Sequence, residues 1–251
     1  MIINSTVGGP GCAPQSLEKR LLVASVDVEW SKNYKIKNGN RAFCYSVTWL
    51  QLPCRKTPLD LALIDWAFTS AYVESQTETG DLVALVASDL GRAIADADLI
   101  IGHQLSSDLA VLHANATTPL RAITDARQAW RQRRTDQKII DTRYDAGSIL
   151  AGTSRRLVDV CNELSLVVTQ PELARKSMTA LHRDWLTNDD TEARERISVL
   201  NLRHSLSAAL VALRVARRGE WAGSLNVNRL LARGLGDTFA WTQNAIFQRL
   251  M

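Results

Sequence analysis

The sequence predicts an α/β protein built on a mixed β-sheet flanked by α-helices. Two β-rich runs, "RLLVASVDVEW" (20–30) and "RAFCYSVTWLQL" (41–52), flank the Asn-Gly turn signal of "SKNYKIKNGN", the pattern of an antiparallel hairpin. Short apolar runs then alternate with helical periodicity from residue 81 onward. Hydrophobic residues make up 46% and charged residues 22% of the 251, which gives one large domain a sizeable core.

The elements follow in order. Residues 1–20 are Gly/Pro/Ser-rich and lack the basic-then-apolar pattern of a secretory signal, so a flexible leader is expected there. After the hairpin, "LALIDWAF" (61–68) fits a third strand or a short helix. "DLVALVASDLGRAIADAD" (81–98) places Leu82, Leu85, Val86 and Leu90 on one helical face. "LIIGH" (99–103) reads as a buried strand running into the helix "SSDLAVLHANA", which Ser106 or Ser107 would cap. A helix over 119–134, a strand over 138–142 and a helix over 154–166 capped by Ser154 come next. A long helical stretch, 190–218, is expected to break near Asn201. These elements define a domain over 21–218. The amphipathic extension 219–251 should pack on the domain or make a homodimer contact.

Composition narrows the function classes. A net charge of +4 and a pI near 9.0 permit a polyanionic partner without demanding one. No run approaches the length of a membrane span, so no membrane partner is expected. Cys12, Cys44, Cys54 and Cys161 have no C-x-x-C spacing, which argues against zinc and fits reduced thiols in a cytoplasmic protein.

The stretch "VASVDVEW" (23–30) carries the chemistry. In a strand Asp27 and Glu29 project to one face, with Cα atoms roughly 6–7 Å apart. Two like charges that close raise each other's pKa unless a cation sits between them, and hard oxygen ligands suit Mg²⁺ or Mn²⁺. A solvated acidic edge is the plain alternative. In "LIIGHQLSSDLAVL", Asp108 falls in the first turn of a helix that follows a strand. There it is either a third ligand or an ordinary helix-dipole residue.

The V-D-V-E strand, the G-H-Q-x-x-x-D junction and the following I-I-D-T strand, in this order, resemble the DEDD superfamily of 3′–5′ exonucleases over roughly residues 21–216. The resemblance implies a ribonuclease-H-like fold. It also implies two Mg²⁺ or Mn²⁺ ions on Asp27, Glu29 and Asp108, with Asp27 bridging both. "RHSLSAAL" is similar to the family's H-x-A-x-x-D-A, which makes His204 the general base. Gln104 stands where the family has Asn. The fourth ligand, expected five residues after His204, falls on Ala209. An alternative placement uses His182 with Asp184, Asp189 or Asp190, none at the family spacing.

The expected substrates are DNA or RNA 3′ ends, with His103 and Gln104 beside them. Trp30 either stacks on the terminal base or belongs to the core. The basic run "RQAWRQRRTDQK" either contacts phosphates or forms a solvated helix face. With Ala209 in the ligand position, engineered or natural, the enzyme would be impaired. The rival reading is a catalytically inactive nucleic-acid-binding or scaffold protein on the same fold.

Overall fold

In the computed structural model, which describes residues 1–15, 17–32, 39–55 and 57–251, the two β-rich runs form the longest strands. In chain order, β1 (Ile2–Ser5), β2 (Arg20–Ser31), β3 (Arg41–Pro53), β4 (Leu59–Asp60) and β5 (Trp66–Tyr72) precede α1 (Thr79–Asp96). β6 (Leu99–Gly102) leads to α2 (Leu105–Asn115) and α3 (Arg121–Asp136). β7 (Ile139–Asp141) leads to α4 (Thr142–Asp145) and α5 (Leu157–Glu163). Then come β8 (Leu166–Val167), α6 (Met178–Asn188), α7 (Thr191–Val215), β9 (Gly219–Glu220), β10 (Leu225–Asn226), α8 (Val227–Leu235) and α9 (Ala245–Gln248).

The chain is α/β, with a six-stranded central sheet of order β1-β5-β3-β2-β6-β7. β1, β5, β3 and β2 run antiparallel to their neighbours, whereas β6 and β7 run parallel to β2. β2 is therefore the strand where the sheet changes from antiparallel to parallel. Its alternation sets both layers. Leu22, Ala24, Val26 and Val28 enter one apolar cluster with Leu82, Val86 and Leu90 of α1. Ser25, Asp27 and Glu29 point the other way, toward α7. A second apolar cluster joins α7 to Phe68, Val160, Leu231, Trp241 and Phe247.

Several expectations change. Residues 2–5 are not a flexible leader: they pair with β5 at the sheet edge, and the Met1 ammonium meets Glu74 and Glu78. The Gly/Pro/Ser composition belongs to the turns that follow. Residues 61–68 satisfy both readings in succession, a 3₁₀ turn at Leu61–Leu63 and then β5. Gln104 and Arg156, not Ser106, Ser107 or Ser154, stand at the starts of α2 and α5. α7 runs unbroken through Asn201, whose buried side chain donates from Nδ2 to Asp27 of β2. The extension after residue 218 packs on the domain, with Trp241 and Phe247 buried. The tip of the expected hairpin turn, residues 33–38, lies outside the described residues. Among the described residues no helix is long and apolar enough to cross a membrane, and all four cysteines are free.

Candidate active site

The site begins with how closely α7 approaches β2. Ser25 Oγ donates to the Ser205 carbonyl at 2.7 Å, and Ser46 Oγ donates to Ser205 Oγ at 3.0 Å. Small side chains at the contact bring the helix down onto the strand. The turn before Ser205 then lies over the two carboxylates. Asn201 Nδ2 donates to Asp27 Oδ2 at 2.7 Å. His204 Nδ1 lies 3.1 Å from Glu29 Oε1 and 3.6 Å from Asp27 Oδ2. One ligand atom from each of Asp27, Glu29 and His204 falls within 4.8 Å of the others.

Asp108 arrives by a tight strand-to-helix turn. A Cβ at Gly102 would meet Leu105 Cβ at 2.8 Å, so only glycine allows this turn. Gln104 adopts the left-handed conformation (φ 63°), and its backbone N–H donates to Asp141 Oδ1 at 2.8 Å. Thr142 Oγ1 donates to the Gly102 carbonyl and accepts from His103 Nδ1 at 3.0 Å. His103 and Gln104, expected beside the substrate, thus also build the turn that positions α2. The Gln104 side chain donates to Ser107 Oγ. Asp108 is 3% exposed, and its Oδ2 has no hydrogen-bond partner. Asp141, equally buried, differs: it accepts from Gln104, Arg143 and the Trp130 indole. Oxygens left bare in one carboxylate and satisfied in its neighbour mark Asp108 as a ligand candidate.

The electrostatics agree. Burial pushes the Asp108 carboxyl well above its ordinary range, and the charges of Asp27, Glu29 and Asp141 push it further. Burial also raises Glu29 to about 7, against the pull of His204. Burial lowers His204, but its hydrogen bonds and proximity to Asp27 and Glu29 outweigh this and raise it to about 10. His103 falls to about 4, mainly through burial. Excess negative charge in a low-dielectric pocket, with a bare carboxylate oxygen, fits a hard divalent cation such as Mg²⁺ or Mn²⁺.

Beside the cluster lies a groove of about 780 Å³ lined by Glu29, Trp30, Lys32, Arg175, Lys176 and Met178. Trp30 is half-buried: it packs on the first apolar cluster and also lines the groove. Gln170 Nε2 lies 2.9 Å from His204 Nε2, the ring nitrogen left free by the carboxylates. Sequence reasoning missed Gln170, Arg175 and the role of Asn201. Gln170 and Arg175 sit in an irregular segment without periodicity, and Asn201 was read as a helix break.

The position assigned to the fourth ligand is corrected. Ala209 lies five residues beyond His204, about 140° around an α-helix, and is buried in the second apolar cluster. His204 stands in mid-helix, so counting five residues forward points into the core. His182, the alternative histidine, stacks on Phe43 at 3.9 Å and bonds to the Tyr72 hydroxyl, a structural role. The basic run of α3 is largely a solvent face: Arg131 and Arg134 are exposed, and Arg133 pairs with Asp145. Comparison of the chain with protein-family models and with curated proteins finds no match. The functional reading therefore rests on the site itself.

Proposed function

We propose that the chain is a metal-dependent 3′–5′ exonuclease on a ribonuclease-H-like sheet, removing nucleotides from single-stranded 3′ ends of DNA or RNA. The observation that carries this reading is the convergence of Asp27, Glu29 and His204 within 4.8 Å, with Asp108, whose buried Oδ2 has no partner, near enough to feel the charges of Asp27 and Glu29. The groove supplies what a terminal nucleotide needs. Trp30 offers a stacking face, worth about 1–3 kcal/mol per base, and Arg175 offers a cation for phosphate, while Lys176 beside it is paired with Asp184.

Divalent cations bound here would lower the pKa of an attacking water and stabilise charge on the leaving 3′ oxygen. Asp27 and Glu29 face both the cation position and His204, so their charge decides who holds the histidine proton. Unshielded, they keep His204 protonated and unable to act as a base. Cations held by Asp27 and Glu29 would shield them, and burial would then draw the histidine's pKa down. The basic atom is Nε2, since Nδ1 faces the carboxylates. Gln170 must move or turn its amide for water to reach it. His204→Ala is expected to lower turnover by about 10²–10⁴-fold, the usual value of a positioned base.

The test uses three single-stranded substrates with Mn²⁺: a 5′-labelled oligonucleotide, its 3′-blocked form and a circle. A ladder from the first alone is expected. Cleavage of the circle would mean an endonuclease. A second reading, a binding protein without turnover, is favoured by one observation: α7 offers the cluster the amide of Asn201 and no carboxylate. Retention of the oligonucleotide with no ladder at any Mn²⁺ concentration would select it.

A further inference from the structure

The face of α7 that meets the carboxylates carries Asn201 and His204, three residues apart and so stacked on one side of the helix. Asn201 is fully buried, its Nδ2 donates to Asp27, and its Oδ1 has no partner. A bare amide oxygen and a bare carboxylate oxygen, on α7 and α2, therefore flank Asp27 and Glu29 of β2. On α7 it is Asn201 that meets Asp27, whereas Ala209 is in the apolar core.

Resting on the exonuclease reading above, we infer that Asn201 fills the fourth ligand position as a neutral oxygen donor and so limits the free protein to one resident divalent cation. The three carboxylates can neutralise one such ion with charge to spare but not two. An amide adds a donor atom without adding charge. Its N–H₂ also holds Asp27 Oδ2, an oxygen that would otherwise be available to a second ion. Changing this one side chain to a carboxylate alters charge and donor count together while keeping size.

The experiment counts Mn²⁺ ions per folded chain without nucleic acid, by calorimetric titration and the electron paramagnetic resonance signal of free Mn²⁺. The parent chain should bind one ion and Asn201→Asp two. Ala209→Asp should stay at one and melt at a lower temperature, because its carboxylate would sit unpaired among apolar side chains. Asn201→Ala, which needs no new buried charge, should keep one ion with about ten-fold weaker affinity. Two ions in the parent chain would overturn the inference and leave the exonuclease reading intact. So would Asn201→Asp at one ion with an unchanged circular dichroism spectrum, or Asn201→Ala at full affinity. No saturable binding to any of these chains would remove the inference and the metal-dependent reading together.

Discussion

Two buried charge clusters hang on opposite sides of α7, and they are solved in different ways. On one side Arg203 and Glu172 are both fully buried. The guanidinium donates twice to the carboxylate at 2.8 Å, while its Nε donates to Asn228 Oδ1 at 2.7 Å. The Trp241 indole N–H adds a third bond to Glu172. Charge balances within the protein and both Glu172 oxygens are bonded, while Asn228 Nδ2 is left without a partner. On the other side, Asp27 and Glu29 share one histidine, and Asp108 Oδ2 and Asn201 Oδ1 have no partner. This chain builds a matched buried ion pair a few residues away, so the unmatched one is not a failure of packing. On the function proposed above, it is a site that a cation would complete. The two clusters also share a segment: Gln170, at His204, stands two residues before Glu172.

Breaking the matched cluster should have the largest effect. Glu172→Ala leaves Arg203 buried and unpaired and should cost about 3–5 kcal/mol, read by urea denaturation. A loss below about 1 kcal/mol would mean that Arg203 finds water, and the contrast between the clusters would vanish. Next comes completion of the unmatched cluster. Mg²⁺ or Mn²⁺ at a hundred times its dissociation constant should stabilise by about 2.7 kcal/mol. The sign with pH follows from Glu29. Because its pKa rises from 4.5 to about 7 on folding, its contribution to stability without cation is full below pH 4.5 and is lost as pH climbs through 7. Cation binding needs ionised carboxylates, so the metal-induced rise in Tm should grow from pH 5 to pH 8. A rise that shrinks over that range would place the ion elsewhere.

Removing charge from the unmatched cluster should do the opposite of removing it from the matched one. At a pH high enough to ionise Asp108, Asp108→Asn should stabilise the cation-free protein by about 1–3 kcal/mol, since it discharges a buried carboxylate with an unpartnered oxygen. It should also abolish the Mn²⁺-dependent ladder. Destabilisation instead would make Asp108 a structural residue like Asp141. The smallest effect belongs to the groove. Arg175→Ala should weaken oligonucleotide binding few-fold and lower the slope of log K against log salt by about one. An unchanged slope would take Arg175 out of phosphate contact.

How much of this could be read beforehand follows the reach of each signal. Strand and helix periods are local, so β2, β3, α1, α2, α3 and β7 stood where the sequence put them, within a few residues. The two-residue spacing of Asp27 and Glu29 fixes their shared face by geometry alone. Across elements the sequence is weaker. Nothing local says that Ile2–Ser5 adds a strand to an edge more than sixty residues away, or that Gln170 reaches His204. Counting from a histidine to a partner also works only if the helix start is known. Here α7 begins at Thr191, so His204 stands in mid-helix and counting five residues on leads to Ala209 in the apolar core.

The register of β2 against β3 is unbroken from Arg20 opposite Pro53 to Glu29 opposite Cys44, and slips only at Trp30, which pairs with Ala42 and leaves Phe43 as an extra residue. In evolutionary terms, this bulge divides the hairpin into a part where chain length is free and a part where it is not. Residues gained or lost beyond Glu29 are absorbed there and turn neither acidic side chain over. One residue lost between Arg20 and Val26 would invert the strand's alternation and present Asp27 and Glu29 to the apolar cluster of α1. Related chains should therefore vary in length at the tip of this hairpin and keep a constant count between Arg20 and Glu29.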